Sequence, residues 1–370
     1  MAIPVTVVGA GAFGGWTALH LLRAGCKVTL VDAWGPGHSR ASSGDETRVI
    51  RGAYGPNAIY TAMVARAIPM WKENERRWSV KLFEQNGALW MAGAANDSYE
   101  QAAAQNIRLA GMPIEMLSPA ACRRRWPQVN WDGIAWAIYE KNAGFLYARR
   151  ACQAVMEGFV AEGGVYRQEA VDPRAARDGH WVFACGPWLG QLFPEELGKL
   201  ITPTRQEVFY FGTPAGDARF GEEQFPAWVD NSGSRYYGIP GNQWRGFKVA
   251  LDIAGPVFDP TAGERRPSEE ALAGARAYLA RRFPALAGAP LSESRVCQYE
   301  MSPDGDLIID RLPGRENVWV VGGGSGHGFK LGPAVGEIAA KQVLGEAAVV
   351  STFGLARFAG RELTGVGERK

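Results

Sequence analysis

The stretch IPVTVVGAGAFGGWTALHLLRAGCKVTLVD, Ile3 to Asp32, reads as a strand, a glycine turn, a helix and a second strand. VTVV is a short apolar run of the kind that is buried on both faces of a parallel sheet. Gly9, Gly11 and Gly14 follow as G-x-G-x-x-G, with Ala12 and Phe13 completing the turn. Gly9 permits the tight turn, Gly11 lets backbone approach a diphosphate, and Gly14 lets the helix pack closely on the strand. The helix runs out at Gly25, a suitable C′ glycine. Asp32 ends the second strand, where an acid accepts hydrogen bonds from an adenosine ribose. A glycine triplet alone is weak, but two strands, a helix and an acid in register make a dinucleotide site. The fingerprint does not choose between NAD and FAD.

At 370 residues the chain is too long for one core, and two domains are expected. Its 46% hydrophobic and 21% charged residues are ordinary for a globular protein. A net charge of +2 gives no electrostatic basis for a nucleic-acid or membrane partner. The five cysteines (Cys26, Cys122, Cys152, Cys185 and Cys297) are odd in number and lack metal-ligand spacing. That pattern points to free thiols in a reducing compartment, hence to the cytoplasm, and to no bound metal. The first apolar run is broken by glycines and has no basic leader, so no signal peptide is expected. No run of about eighteen apolar residues is present to span a membrane. A monomer is expected, and the sequence leaves the oligomeric state open.

The segment after Asp32 decides the cofactor. An NAD dehydrogenase more often continues into further regular βα units, whereas GPGHSRASSGDETRVIRGAYG is rich in small polar residues and arginine. SSGDETRVIRGAYG (42–55) resembles the corresponding segment of the monomeric sarcosine oxidase and N-methyltryptophan oxidase family. These are FAD-dependent amine oxidases of the D-amino-acid oxidase-like group. YYGIPGNQWRGFKVALD (236–252), RVCQYEMSPDGDLIID (295–310) and GGGSGHGFKLGPAVGEIAA (322–340) resemble the same family in the same order. The resemblance implies an α/β plus α+β fold: a Rossmann-like FAD-binding domain with an interleaved substrate domain built on a large mixed sheet. The boundaries expected are 1–80, 139–200 and 304–370 for the first, and 81–138 and 201–303 for the second. VFACGPWLG (182–190) resembles the family's return strand near the cofactor. The chain before it is about a dozen residues shorter than in the family, so a β-meander is trimmed to the polar loop AVDPRAARDG. The tail TGVGERK is expected to fray.

The later motifs can be read as chemistry. In GGGSGHGFKLGPAVGEIAA a glycine-rich turn enters a helix with Pro333 in its first turn. Such a helix start offers N–H groups and partial positive charge to the electron-accepting edge of a flavin. Gly326, Gly328, Phe329 and Lys330 are the candidate cofactor contacts there, and His327 is given a structural role only. The resemblance implies that Lys330 and Arg51 hold the substrate carboxylate, for which an arginine fork and an ammonium are suited. Arg48 lies three residues from Arg51, on the same face if the segment is helical. Ser43 and Arg48 join the expected cofactor contacts, and Arg48 also joins the catalytic group.

RGFKVALD reads as a strand with Lys248, Ala250 and Asp252 on one face. The resemblance implies that Lys248 acts through water at the flavin and promotes reaction with dioxygen. The family's sarcosine enzymes carry histidine where this chain has Asp252, so the substrate cannot be copied across. Tyr237 and Tyr299 match aromatic residues that wall the family's cavity, and ordinary core tyrosines are the alternative. Cys297 shares a strand face with Arg295 and Tyr299, and the resemblance implies a bond from its sulfur to the flavin 8α-methyl. Arg295 would supply the cation that favours the thiolate. A free thiol beside noncovalent FAD is the alternative, and the other four cysteines read as buried apolar residues.

These features imply oxidation of the C–N bond of an amino acid or N-alkyl amino acid to an imine, with dioxygen reduced to hydrogen peroxide. The alternatives are a flavin amine dehydrogenase with another electron acceptor, and a noncatalytic FAD-containing binding protein.

Overall fold

Strand Pro4–Val8 is buried on both faces because helices and loops cover both sides of the sheet it centres. The computed structural model describes residues 3–94 and 97–361, so the expectation for the tail TGVGERK lies outside the described residues. The first half of the chain forms β1 (Pro4–Val8), α1 (Ala12–Arg23), β2 (Lys27–Asp32), β3 (Thr47–Ile50), α2 (Ala58–Trp78), β4 (Phe83–Glu84), β5 (Ala88–Ala92) and α3 (Ser98–Leu109). It continues with β6 (Ile114–Leu117), α4 (Pro119–Arg125), β7 (Trp136–Glu140), β8 (Gly144–Tyr147), α5 (Ala148–Ala161), β9 (Val165–Gln168), β10 (His180–Phe183) and α6 (Leu189–Leu192). The remainder forms β11 (Thr202–Phe211), β12 (Ala227–Asn231), β13 (Tyr236–Ile239), β14 (Phe247–Leu251), α7 (Glu269–Arg282), β15 (Leu291–Met301), β16 (Ile308–Arg311), β17 (Val318–Gly322) and α8 (Gly332–Val343).

A six-stranded sheet runs β16-β17-β10-β1-β2-β9, parallel except for the antiparallel edge pair β16–β17. Val5, Val7, Val28 and Leu30 face α1, α5 and α8, whereas Val8, Phe183, Val318 and Val320 face a second apolar layer around Leu189 and Phe193. The glycine turn behaves as its spacing requires. Gly9 has φ +107°, in the left-handed region that favours glycine. A Cβ on Gly14 would lie 1.8 Å from the Gly9 carbonyl oxygen, so only glycine lets α1 sit this close to β1. Between β9 and β10 the described residues hold one short 3-10 turn at Pro173–Ala175 and no strand, which is the trimmed connection.

The eight-stranded sheet runs β15-β11-β14-β13-β12-β5-β7-β6 and is antiparallel apart from β12–β5. Alternation along its strands divides it into two faces. Phe209, Phe211, Trp228, Phe247 and Val249 pack against Tyr278, Leu279 and Phe283 from α7 and its end. Val208, Tyr210, Tyr237, Ala250 and Cys297 form the opposite face, which looks toward the six-stranded sheet's glycine turns. A small sheet β3-β8-β4 joins the two. Arg48 therefore lies on a strand, β3, and the helical arrangement considered for Arg48 and Arg51 does not occur. β7 carries the large sheet to Glu140, two residues beyond the expected boundary at 138, and β4 belongs to the small sheet.

Candidate active site

A cavity of about 440 Å3 lies between the two large sheets. At one end it is walled by Asp32, Trp34 and His38; its middle is walled by Gly9, Gly11, Ala12, Phe13 and Ser43; its far end by Arg48, Arg51, Tyr237, Asp252, Tyr299 and Gly326–Lys330. Tertiary packing thus gathers all four motifs onto one continuous surface.

The glycine end fits a dinucleotide. Gly11 occupies the N-cap of α1, has no side chain to cap it, and no acid stands in the first turn. The first N–H groups of that helix are thereby left for an anion. A Cβ on Gly11 would protrude to 3.4 Å from the Ser43 hydroxyl, inside the cradle. The Asp32 carboxylate accepts from the Ala10 N–H at 2.7 Å and from the Trp34 and Gly35 N–H groups at 2.8 Å each, which aims it across the turn. Gly14 does not line the cavity, and its role is the close packing of α1.

At the far end, two cations are buried. Arg51 and Lys330 are 7% and 5% exposed, and the two charges lie 5.1 and 5.0 Å from the centroid of the Tyr54 ring. Arg51 also stands 4.4 Å from the Trp90 ring, and its guanidinium donates to the Ala53 carbonyl. The Lys330 ammonium donates to the His327 carbonyl at 2.9 Å. Behind them Glu140 accepts from the Gly52 and Ala53 N–H groups at 2.6 and 3.1 Å. Burial raises the Glu140 carboxyl above its usual range, opposed by those N–H groups and by the two cations. The His327 ring, at the cavity wall, meets Tyr54 Oη and the Gly305 carbonyl. Tyr299 donates to Asp252 at 3.2 Å, and burial raises the Tyr237 phenol.

Lys248 and Cys297 lie just behind the cavity wall and are not part of the lining. The Lys248 ammonium is fully buried, 2.5 Å from Asp45 Oδ2 and 2.7 Å from the Thr47 carbonyl. Asp45 also accepts from Arg48 at 2.5 Å and from the Tyr210 hydroxyl at 2.8 Å. Burial opposes ionisation of Asp45, but Lys248 and Arg48 overcome it and hold the carboxyl far below its ordinary value. Cys297 Sγ lies 3.1 Å from the Arg48 Nη2, in contact with this network of two cations and one anion. The expected partner Arg295 is instead tied to Glu46 and Glu293. Strand alternation alone could not separate the two, because Arg48 reaches Cys297 from another sheet.

Sequence reasoning passed over Asp45, Tyr54, Trp90, Glu140, Cys185 and Glu300. Asp45 and Tyr54 stand inside the recognised segment 42–55, so their signal was available. Trp90 and Glu140 sit on strands β5 and β7 with no local motif. Cys185 was read as a buried apolar residue, yet it lines the cavity at the end of β10. Glu300 is buried on the wall as well.

The chain matches a family described as FAD dependent oxidoreductase over residues 4–342. It is 30% identical to an N-methyl-L-tryptophan oxidase of Salmonella agona, over 97% of this chain and all of that protein. The same identity and coverage relate it to an N-methyl-L-tryptophan oxidase of Yersinia pestis. Its fold superposes on an L-proline dehydrogenase from P. horikoshii with a TM-score of 0.82 at 17% identity, covering 96% of this chain and 98% of that one. A fructosamine oxidase from Aspergillus fumigatus superposes with a TM-score of 0.79 at 20% identity, covering 98% and 92%.

Proposed function

The chain belongs to the FAD-dependent oxidoreductase family, and on that premise we propose that it oxidises the C–N bond of an amino acid or N-alkyl amino acid. The observation that carries this reading is the pair of buried cations, Arg51 and Lys330, at the end of the cavity away from the dinucleotide cradle. The relatives at 30% identity, named for an N-methyl amino acid, support the same substrate class. FAD held by the Gly9–Gly11 turn and Asp32 would supply the two-electron acceptor for oxidation of the carbon beside the amine nitrogen, with dioxygen as the final acceptor and hydrogen peroxide as its product.

Arg51 and Lys330 bind and orient the carboxylate, with Tyr54 and Trp90 excluding water from the two charges. Glu140 fixes the Gly52–Ala53 backbone and so the approach of Arg51. Tyr237, Tyr299 and Asp252 shape the pocket around the amine, and the carboxylate of Asp252 gives its wall a polarity that a histidine would not. Arg48 and Lys248 place positive charge behind the flavin position, where charge builds on reduction and on transfer to oxygen. Cys297, next to Arg48, is the residue we assign to a covalent tether. In this reading the six-stranded sheet with its covering helices forms the cofactor unit, and the eight-stranded sheet with α7 the substrate unit. Five free thiols suit a reducing cytoplasm.

The test is anaerobic bleaching of the flavin by a panel of primary and secondary amino acids, followed by peroxide assay in air. Bleaching by at least one amino acid, with peroxide on reoxidation, is expected. Bleaching without peroxide would assign a dehydrogenase, and no bleaching by any amine would leave a noncatalytic flavoprotein.

A further inference from the structure

Glu300 lies three residues beyond Cys297 on β15 and is 6% exposed. Its Oε1 accepts from the Gly324 N–H at 3.2 Å, while its Oε2 has no hydrogen-bond partner among the described residues. Glycines pack around this carboxyl, on a residue that lines the cavity. A Cβ on Gly324 would sit 2.9 Å from Oε1, and one on Gly186 would sit 3.3 Å from Oε2. Gly186, Glu300 and Gly324 all line the cavity. A buried oxygen left without a partner is costly, so a built site of this kind implies a ligand group that completes it.

Position and charge identify that group. Gly186 follows β10 and Gly324 follows β17, and β1, β10 and β17 are neighbours in the six-stranded sheet. Strands are about 4.8 Å apart, so the carboxyl sits one to two strands from the Gly9 turn at the end of β1. The α1 N-terminus beside that turn takes the diphosphate. Arg48 and Lys330 mark the ring end of the same cavity. The part of the cofactor between diphosphate and ring is the polyhydroxylated ribityl chain. Burial raises Glu300 to about 7, opposed only by the Gly324 N–H and by no cation. A second anion is therefore disfavoured at Oε2, and a neutral hydroxyl suits it.

We propose that Glu300 is a cofactor-binding residue whose free oxygen hydrogen-bonds a hydroxyl of the ribityl chain of FAD. The assignment rests on FAD occupying this cavity. It is tested in a Cys297→Ser background, which removes the candidate tether, by following flavin release through recovery of fluorescence on dilution. Glu300→Leu should release FAD at least tenfold faster, and Glu300→Gln, which keeps the shape and a hydrogen-bonding end, within threefold of the parent. Among FAD analogues each lacking one ribityl hydroxyl, one should leave the parent tenfold faster than FAD. That same analogue should leave Glu300→Leu no faster than FAD does. A Gly11→Leu variant, which fills the cradle, separates the placement of the cofactor from the role of Glu300. Flavin lost from Gly11→Leu but held unchanged by both Glu300 variants overturns the role of Glu300 alone. Flavin held unchanged by Gly11→Leu as well overturns the placement of FAD and the role of Glu300 with it. If Glu300→Leu does not fold, equal release of every analogue from the parent overturns the proposal.

Discussion

At the scale of single residues, Cys297 is distinguished from the other four cysteines by its contact. Its sulfur meets a guanidinium. Desolvation pushes up the thiols of Cys26, Cys122, Cys152 and Cys185. Acid precipitation should leave flavin on the unmodified chain and release it from Cys297→Ser, as read by absorbance of pellet and supernatant. Free flavin from the unmodified chain would remove the tether. Glu300 makes a different prediction, in the protein stripped of flavin. Its folded-state value is raised from 4.5 to about 7 by burial, so the folded protein keeps a proton that the unfolded chain has released. That contribution is fully present below pH ~4.5 and is lost as pH rises to ~7, with an upper size of about 3 kcal/mol. Urea denaturation of Glu300→Gln across this window should show a shallower fall in stability than the parent. Some slope should persist, since Glu100 is also raised to about 7 by burial. Identical slopes in the two proteins would clear Glu300 of the titration.

At the scale of elements, the site depends on one face of the eight-stranded sheet being held in place by what covers the other. α7 is anchored there by more than its apolar side chains. Arg282 Nε donates to Asp230 at 2.9 Å, and the Tyr278 hydroxyl donates to the same carboxylate oxygen at 3.0 Å. The side chains of this ion pair are 2% and 0% exposed. Arg282→Ala leaves the Asp230 carboxylate buried without its cation, and a cost of about 3–5 kcal/mol is expected. A matching drop in the urea midpoint, with unchanged slope, is the result sought. A drop below 1 kcal/mol would mean that Tyr278 and Ser232, which also donate to Asp230, suffice to hold it. The glycine turn shows the same dependence of function on packing. Gly14 touches no ligand surface, yet its missing Cβ sets how far the α1 N-terminus stands from β1.

At the scale of the whole molecule, the proposed substrate clamp draws on distant parts of the chain: Arg51 after β3, Trp90 from β5, Glu140 from β7 and Lys330 before α8. Lys330→Ala should cost about 2–5 kcal/mol in kcat/KM for an amino acid, because the partner charge is buried. The loss should shrink for a matched amine without the carboxylate, which should itself be a poor substrate of the unmodified enzyme. Equal efficiency toward both amines would show that the cations do not bind substrate. The strand–turn–helix–strand fold and the roles of Gly9 in the turn and Gly14 in close packing were legible in residues 3–32, because strand, turn and helix are set by local periodicity and by backbone freedom at two or three positions. The later motifs could be recognised for the same reason, each being a short run with its own turn chemistry. Local sequence could not pair Arg48 with Cys297, which is 249 residues away, or show that Lys248 and Arg48 share the Asp45 carboxylate. Nor could it reveal that Glu140 and Trp90 back the cations, or that one buried oxygen of Glu300 has no hydrogen-bond partner among the described residues. Which charges neutralise one another inside a protein depends on which strands meet and how deeply they are buried, and only the packed sheets decide that.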